Sequence, residues 1–146
     1  MLFLADNLPT PDLRRFQGRE EVFDVCRKKW VSLTPEEWVR QQLLTQFIHV
    51  LEIPNTWIAV EKEIEVNKLR KRFDVLIYDG HGNPFCLIEC KAPDVPLTTS
   101  VFDQLLRYHQ QIPVPYLMIS NGAQTVGWHK SEGQLFELTN WPILRK

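Results

Sequence analysis

The chain has 146 residues, 44% hydrophobic and 24% charged, with a net charge of −1. That size and balance suit one globular domain able to bury an ordinary core, and the near-neutral charge excludes a globally basic nucleic-acid-binding surface. Three cysteines, an odd number at no metal-ligand spacing, argue against a disulfide framework. With no long apolar run and no basic leader before the short apolar start, the expectation is a cytoplasmic protein without membrane span or signal peptide.

Residues 1–22 alternate short apolar pieces with Pro9 and Pro11, and read as a lead-in of unassigned role. Val22 to Val31 reads as a short strand or irregular segment, and its basic Arg27-Lys28-Lys29 as a solvated face. Thr34 to Leu51 is the clearest helix: Thr34 is an N-cap, Pro35 takes the first helical position, and Glu37 falls three after the cap. Val39, Leu43, Leu44, Phe47 and Ile48 then recur at helical spacing. At 100° steps Glu36 and Arg40 lie inside that apolar arc, and Glu37 lies at its rim. Glu37 therefore reads as a capping-box residue. Glu36 reads as a buried-face carboxylate needing a partner, with Arg40 one turn on.

Trp57 to Val66 is an amphipathic strand, with Ile58, Val60, Ile64 and Val66 opposite Glu61, Glu63 and Glu65. The acidic side reads as solvated, with Glu63 the candidate to approach a site. Asn67 to Arg70 reads as a turn, and the basic run through Lys71 and Arg72 sits at strand ends, where it either docks phosphates or solubilises. Phe73–Tyr78 and Phe85–Cys90 are two apolar runs around Asp-Gly-His-Gly-Asn-Pro, a β-hairpin signal. A symmetric hairpin sets Tyr78 against Phe85 and Asp74 against Glu89, while Glu89 and Lys91 share a face. Opposed carboxylates, with β-carbons about 5 Å apart, repel unless a cation sits between them. The bland alternative is a cross-strand salt-bridge network, but one lysine does not balance two carboxylates.

Beyond Pro93 and Pro96, Ser100 and Asp103 suggest a cap for a helix from Val101 to about Gln111, with Gln104 and Tyr108 on one face. Tyr116 to Ser120 reads as a buried strand, parallel to the central sheet through a helical crossover. Thr125–His129 and Gln134–Leu138 read as two further strands. His109 and His129 have no ligand-type neighbour in sequence and read as non-catalytic.

Asp74 followed by Glu89-Cys90-Lys91 resembles the D…(D/E)-x-K signature of the restriction-endonuclease-like nuclease superfamily. With Lys71–Asp79, Leu87–Pro93, Gln104–Tyr108 and Thr34–Gln41 in that order, the chain resembles the N-terminal nuclease domain of the type I restriction enzyme R (motor) subunit. The likeness runs over roughly residues 23–128. It implies an α/β restriction-endonuclease-like core, a mixed central sheet flanked by helices, and a deoxyribonuclease, endonuclease or exonuclease, of restriction–modification. It further implies Mg²⁺, with Mn²⁺ able to substitute, held by Asp74, Glu89 and the backbone carbonyl of Cys90. Lys91 and Glu36 would complete the catalytic set, and Gln104, Tyr108, Arg72 and Lys71 would contact substrate.

Two departures matter. The sequence has no Gly-x-x-x-x-Gly-Lys-[Ser/Thr] loop, so no ATP motor is expected within it, and there is no room for a sequence-reading region. A separate motor or specificity protein is therefore a candidate partner, as is a second copy of the chain. The rival reading is a catalytically inert module on the same fold that binds nucleic acid or protein.

Overall fold

Strands β4 (Ile58–Val66), β5 (Leu69–Tyr78) and β6 (Pro84–Cys90) form consecutive antiparallel ladders at the centre of the computed structural model. It describes residues 1–109 and 112–144, and all of their side chains except those of Val66 and Tyr108. β7 (Tyr116–Ser120), β8 (Thr125–Ser131) and β9 (Gln134–Glu137) complete a six-stranded sheet of order β4-β5-β6-β7-β8-β9. Among the described residues only the β6–β7 pairing is parallel, and the helix α2 (Thr99–His109) supplies the crossover it requires. The fold is the expected mixed α/β core.

β6 is apolar on both faces because helices cover both. Val39, Leu43, Leu44 and Phe47, on and just past α1 (Pro35–Thr45), bury one face with Val75, Ile77, Cys86 and Ile88. Leu105 of α2 buries the other with Leu76, Leu87, Leu117 and Ile119. The cysteine side chains of Cys86 and Cys90 lie in the first cluster, and all three cysteines are free.

Val75 pairs with Ile88, Leu76 with Leu87 and Ile77 with Cys86, which is the symmetric hairpin register. At the loop end the symmetry fails. A bulge after Ile77 sets Tyr78 against Pro84 rather than Phe85. The loop closes early because Asp79 Oδ1 accepts from the backbone N–H of both His81 and Asn83, and the bulge absorbs the extra residue. Between β4 and β5 the turn is only Asn67-Lys68, both at positive φ, as in a two-residue turn matched to strand twist. Leu69 and Arg70, expected in the turn, are therefore strand residues, continuous with Lys71 and Arg72.

The first 33 residues hold more order than their sequence suggests. β1 (Leu13–Phe16), β2 (Arg19–Asp24) and β3 (Lys29–Ser32) form a separate antiparallel sheet. Leu2 is buried and bridges to Thr125, and Ala5 N donates to Gln46 Oε1. The helix expected as far as Leu51 is α-helical only to Thr45, and Gln46–Val50 continues as a π-turn. The Thr45 hydroxyl donates to Gln41 O, competing with the backbone for that carbonyl. Thr34 caps α1 as expected, its Oγ1 accepting from Glu37 N. For α2 the cap is Thr98, whose Oγ1 accepts from Val101 N, rather than Ser100. The expected helix end at Gln111 lies outside the described residues.

Candidate active site

Asp74 sits where the alternation of β5 breaks. Phe73 packs with Leu76 on the α2 side, whereas a period of two would set it with Val75 on the α1 side. The β4–β5 ladder also skips a step there, running from Val60↔Val75 to Lys62↔Phe73. The omitted partner, Glu61, has φ of 52°. Freed from regular pairing, the Asp74 carboxylate turns to β6, where its Oδ2 accepts from Cys90 N at 2.7 Å.

The carboxyl groups of Asp74 and Glu89 are close enough for each to act on the titration of the other. Burial, and then the Glu89 charge, push the Asp74 pKa up to about 6. Burial also raises that of Glu89, against the pull of the nearby Lys91 ammonium. Cys90 N is fixed by Asp74, and Lys91 N donates to Ser120 O at 2.8 Å, so the peptide between them is held at both ends. Two carboxylates and a backbone carbonyl are an oxygen donor set suited to a hard divalent cation. Among the described residues no three His, Cys, Asp or Glu side chains converge as a ligand cluster.

A cleft of about 260 Å³ opens on the α2 side, lined by Arg72, Glu89, Lys91, Gln104 and His109. Gln104 and Arg72 thus share one cavity with the hairpin residues. Lys71 lies close enough to His109 to depress its pKa, and the Tyr108 side chain lies outside the described residues. A larger cavity, about 650 Å³, lies between α2 and the β8–β9 turn, away from both carboxylates. Size does not mark the site; chemistry does.

The two helix glutamates exchange their expected places. Glu36 is exposed, though its charge reaches Glu89 and Cys90 from the start of α1. Glu37 is the buried one, receiving Arg27 Nη2 at 2.6 Å and lying 3.4 Å from Arg40 Nε. Arg40 therefore partners Glu37, not Glu36. Arg27, expected on a solvated face with Lys28 and Lys29, also donates to the fully buried Asp24 at 2.7 Å. Although burial opposes it, the bonds from Arg27 hold the Asp24 pKa below its ordinary value.

Three residues enter the neighbourhood unannounced by the sequence. His109 Nε2 lies 3.4 Å from Glu89 Oε1. Burial first, then Lys71 and Lys130, depress its pKa to about 4, so the imidazole is neutral near pH 7 and this is a polar contact rather than an ion pair. Arg40, 4% exposed, influences both Asp74 and Glu89. Glu61 faces Arg40, Arg72 and Arg27 at 3.4, 2.7 and 3.6 Å.

A hairpin carrying paired carboxylates, in a mixed sheet with one helix on each face, defines a restriction-endonuclease-like α/β core. Residues 35–142 match the family described as Type I restriction enzyme R protein N terminus (HSDR_N), and the chain belongs to that family. It is thus a nuclease-like domain of the restriction-enzyme kind. No curated protein matches the sequence. No helix among the described residues is long and apolar enough to cross a membrane.

Proposed function

We propose that the chain is a metal-dependent deoxyribonuclease, with all 146 residues working as one domain. The observation that carries this reading is the half-buried Asp74–Glu89 carboxyl pair, whose charges act on one another beside Lys91. Two acids are pressed together there, at a cost that a structural ion pair would not require.

Asp74, Glu89 and the Cys90 carbonyl would hold Mg²⁺, or Mn²⁺ in its place. Such an ion polarises a phosphoryl oxygen and lowers the pKa of a bound water. The Lys91 ammonium, on the face of β6 that carries Glu89, orients the attacking water and offsets charge building on the phosphate. His109 presents its imidazole to Glu89 Oε1 and limits how that carboxylate can turn. Gln104 and Arg72 line the wall of the cleft and steer the strand, with Lys71 near them and Tyr108 a further substrate contact. Glu36 adds negative charge at the rim. Translocation and sequence choice would come from a separate motor or specificity protein; a second copy of the chain is a further candidate partner.

The test is a Mg²⁺-dependent cleavage assay on linear, nicked, branched and single-stranded DNA, with Lys91→Ala as control. Cleavage by the wild type and none by the variant is the expected result. Wild-type protein that neither binds Mg²⁺ or Mn²⁺ nor cuts any form would establish the inert binding module instead.

A further inference from the structure

We propose that Arg40 and Arg72, backed by Arg27, form a cradle for a backbone phosphate of the nucleic-acid strand, and that the Glu61 carboxylate stands in for that phosphate until substrate arrives. The inference rests on the nuclease reading above and adds to it a second anion site, beside the metal pair, with an internal occupant.

Four observations carry it. First, three guanidiniums lie within 3.6 Å of one carboxylate, with Arg72 Nη2 donating to Glu61 Oε2 at 2.7 Å. Arg27 already serves Asp24 and Glu37, so Glu61 chiefly answers Arg72 and Arg40. Second, Arg40 is under-satisfied. Its side chain is 5% exposed, yet Nε and Nη1 make ion-pair contacts of 3.4 Å and no geometric hydrogen bond. Buried guanidinium donors left in that condition are rare, because each unmade bond forfeits desolvation energy. A tetrahedral phosphate presents more acceptor directions than one carboxylate and meets a guanidinium in two-pronged fashion.

Third, Glu61 reaches this position on a left-handed backbone, φ 52°, in the middle of a strand and at the step where the ladder is broken. A non-glycine residue in that region is strained, and such strain collects where a structure must switch. The Glu61 side chain is 38% exposed, so it has open space to swing into. Fourth, the cradle adjoins the carboxyl pair. Arg40 acts on Asp74 and Glu89, and Arg72 lines one cleft with Glu89 and Lys91. A strand with one phosphate at Asp74 and Glu89 would bring a neighbouring one within reach of Arg72.

In the unliganded protein the charges of the group balance: Asp24, Glu37 and Glu61 against Arg27, Arg40 and Arg72. Binding exchanges one anion for another without leaving a guanidinium bare. Glu61 thus keeps the cradle neutral and competes with DNA for it.

The experiment compares wild type with Glu61→Gln, first in thermal melts with and without millimolar inorganic phosphate, then by fluorescence anisotropy with a labelled DNA duplex in EDTA across a salt series. Glu61→Gln should melt lower than wild type, and phosphate should restore it while leaving wild type nearly unmoved. It should also bind the duplex roughly three- to tenfold tighter, because no internal anion competes, while the log–log salt slope stays the same, since both proteins make the same phosphate contact. Adding Arg72→Gln, a change at an exposed residue, should erase the gain. If wild type binds the duplex and Glu61→Gln binds it no better, the cradle is refuted and the nuclease reading survives. If phosphate restores the melt but neither protein binds DNA, the nucleic-acid source is refuted together with that reading. Should Glu61→Gln fail to fold, Arg72→Gln alone decides: an unaltered salt slope refutes the cradle.

Discussion

Asp74→Asn should make the protein more stable near neutral pH while destroying its function. The raised pKa means that the folded state holds the Asp74 proton more tightly than the unfolded chain does. The stability associated with that proton is fully present below the unfolded value of 3.8 and is lost as pH rises through about 6. The displacement is about two units, and at 1.36 kcal/mol per unit it is worth about 3 kcal/mol at neutral pH. Asparagine keeps an oxygen to accept from Cys90 N, the one hydrogen bond that lowers the Asp74 pKa, and removes the charge that opposes Glu89. The difference between variant and wild type isolates this effect from other titrating groups. It should be near zero at about pH 4 and grow to about 3 kcal/mol above about pH 6, roughly 5–10 °C in Tm for a chain of this size. Calorimetric or circular-dichroism melts at several pH values, in EDTA, measure it. A variant equally or less stable than wild type at neutral pH would refute the argument that the two carboxyl groups are held together against their repulsion.

Lys91→Ala should abolish cleavage while Mg²⁺ or Mn²⁺ binding, read by calorimetry, survives or strengthens, since a neighbouring cation has been removed. Asp74→Ala should lose both. Arg27→Ala strands the buried Asp24 and Glu37 carboxylates and should cost about 3–5 kcal/mol in denaturant unfolding; a loss below about 1 kcal/mol would place that network among surface ion pairs. Depression of the His109 pKa to about 4 gives stability that is present above about pH 6.5 and is lost as pH falls. His109→Gln should therefore flatten the acid limb of the stability curve, and an unchanged limb would count against a buried neutral imidazole.

The sequence made the central hairpin legible because strand alternation and turn chemistry act locally: the pairing of Val75 with Ile88 follows from counting outward from the loop. The crossover to a parallel β7 was legible for the same reason. What stayed hidden depends on partners distant in the chain. Which of two adjacent glutamates turns inward is decided by Arg27, ten residues upstream on another element, and no helical wheel contains it. His109 meets Glu89 only once α2 has folded back over the sheet. β1 is solvent-exposed, with two arginines at its middle, and β2 opens on the exposed Arg19 and Glu20, so the pair lacks the apolar rhythm by which strands are recognised. Gln17-Gly18, both at positive φ, was the available sign of that hairpin.

The lone parallel pairing has a consequence for synthesis. The β5–β6 hairpin is local and can close as soon as its own residues have emerged. The anchor of Lys91, a bond from its backbone N–H to Ser120 O, waits for the crossover through α2. Long-range pairing of this kind is slow, because chain entropy must be surrendered before the contact forms. A nascent chain halted before Ser120 would carry both carboxylates without the strand that fixes the lysine beside them. Truncated translation products would then be unable to assemble the proposed site, so a ribosome that stalls early releases a fragment that lacks it.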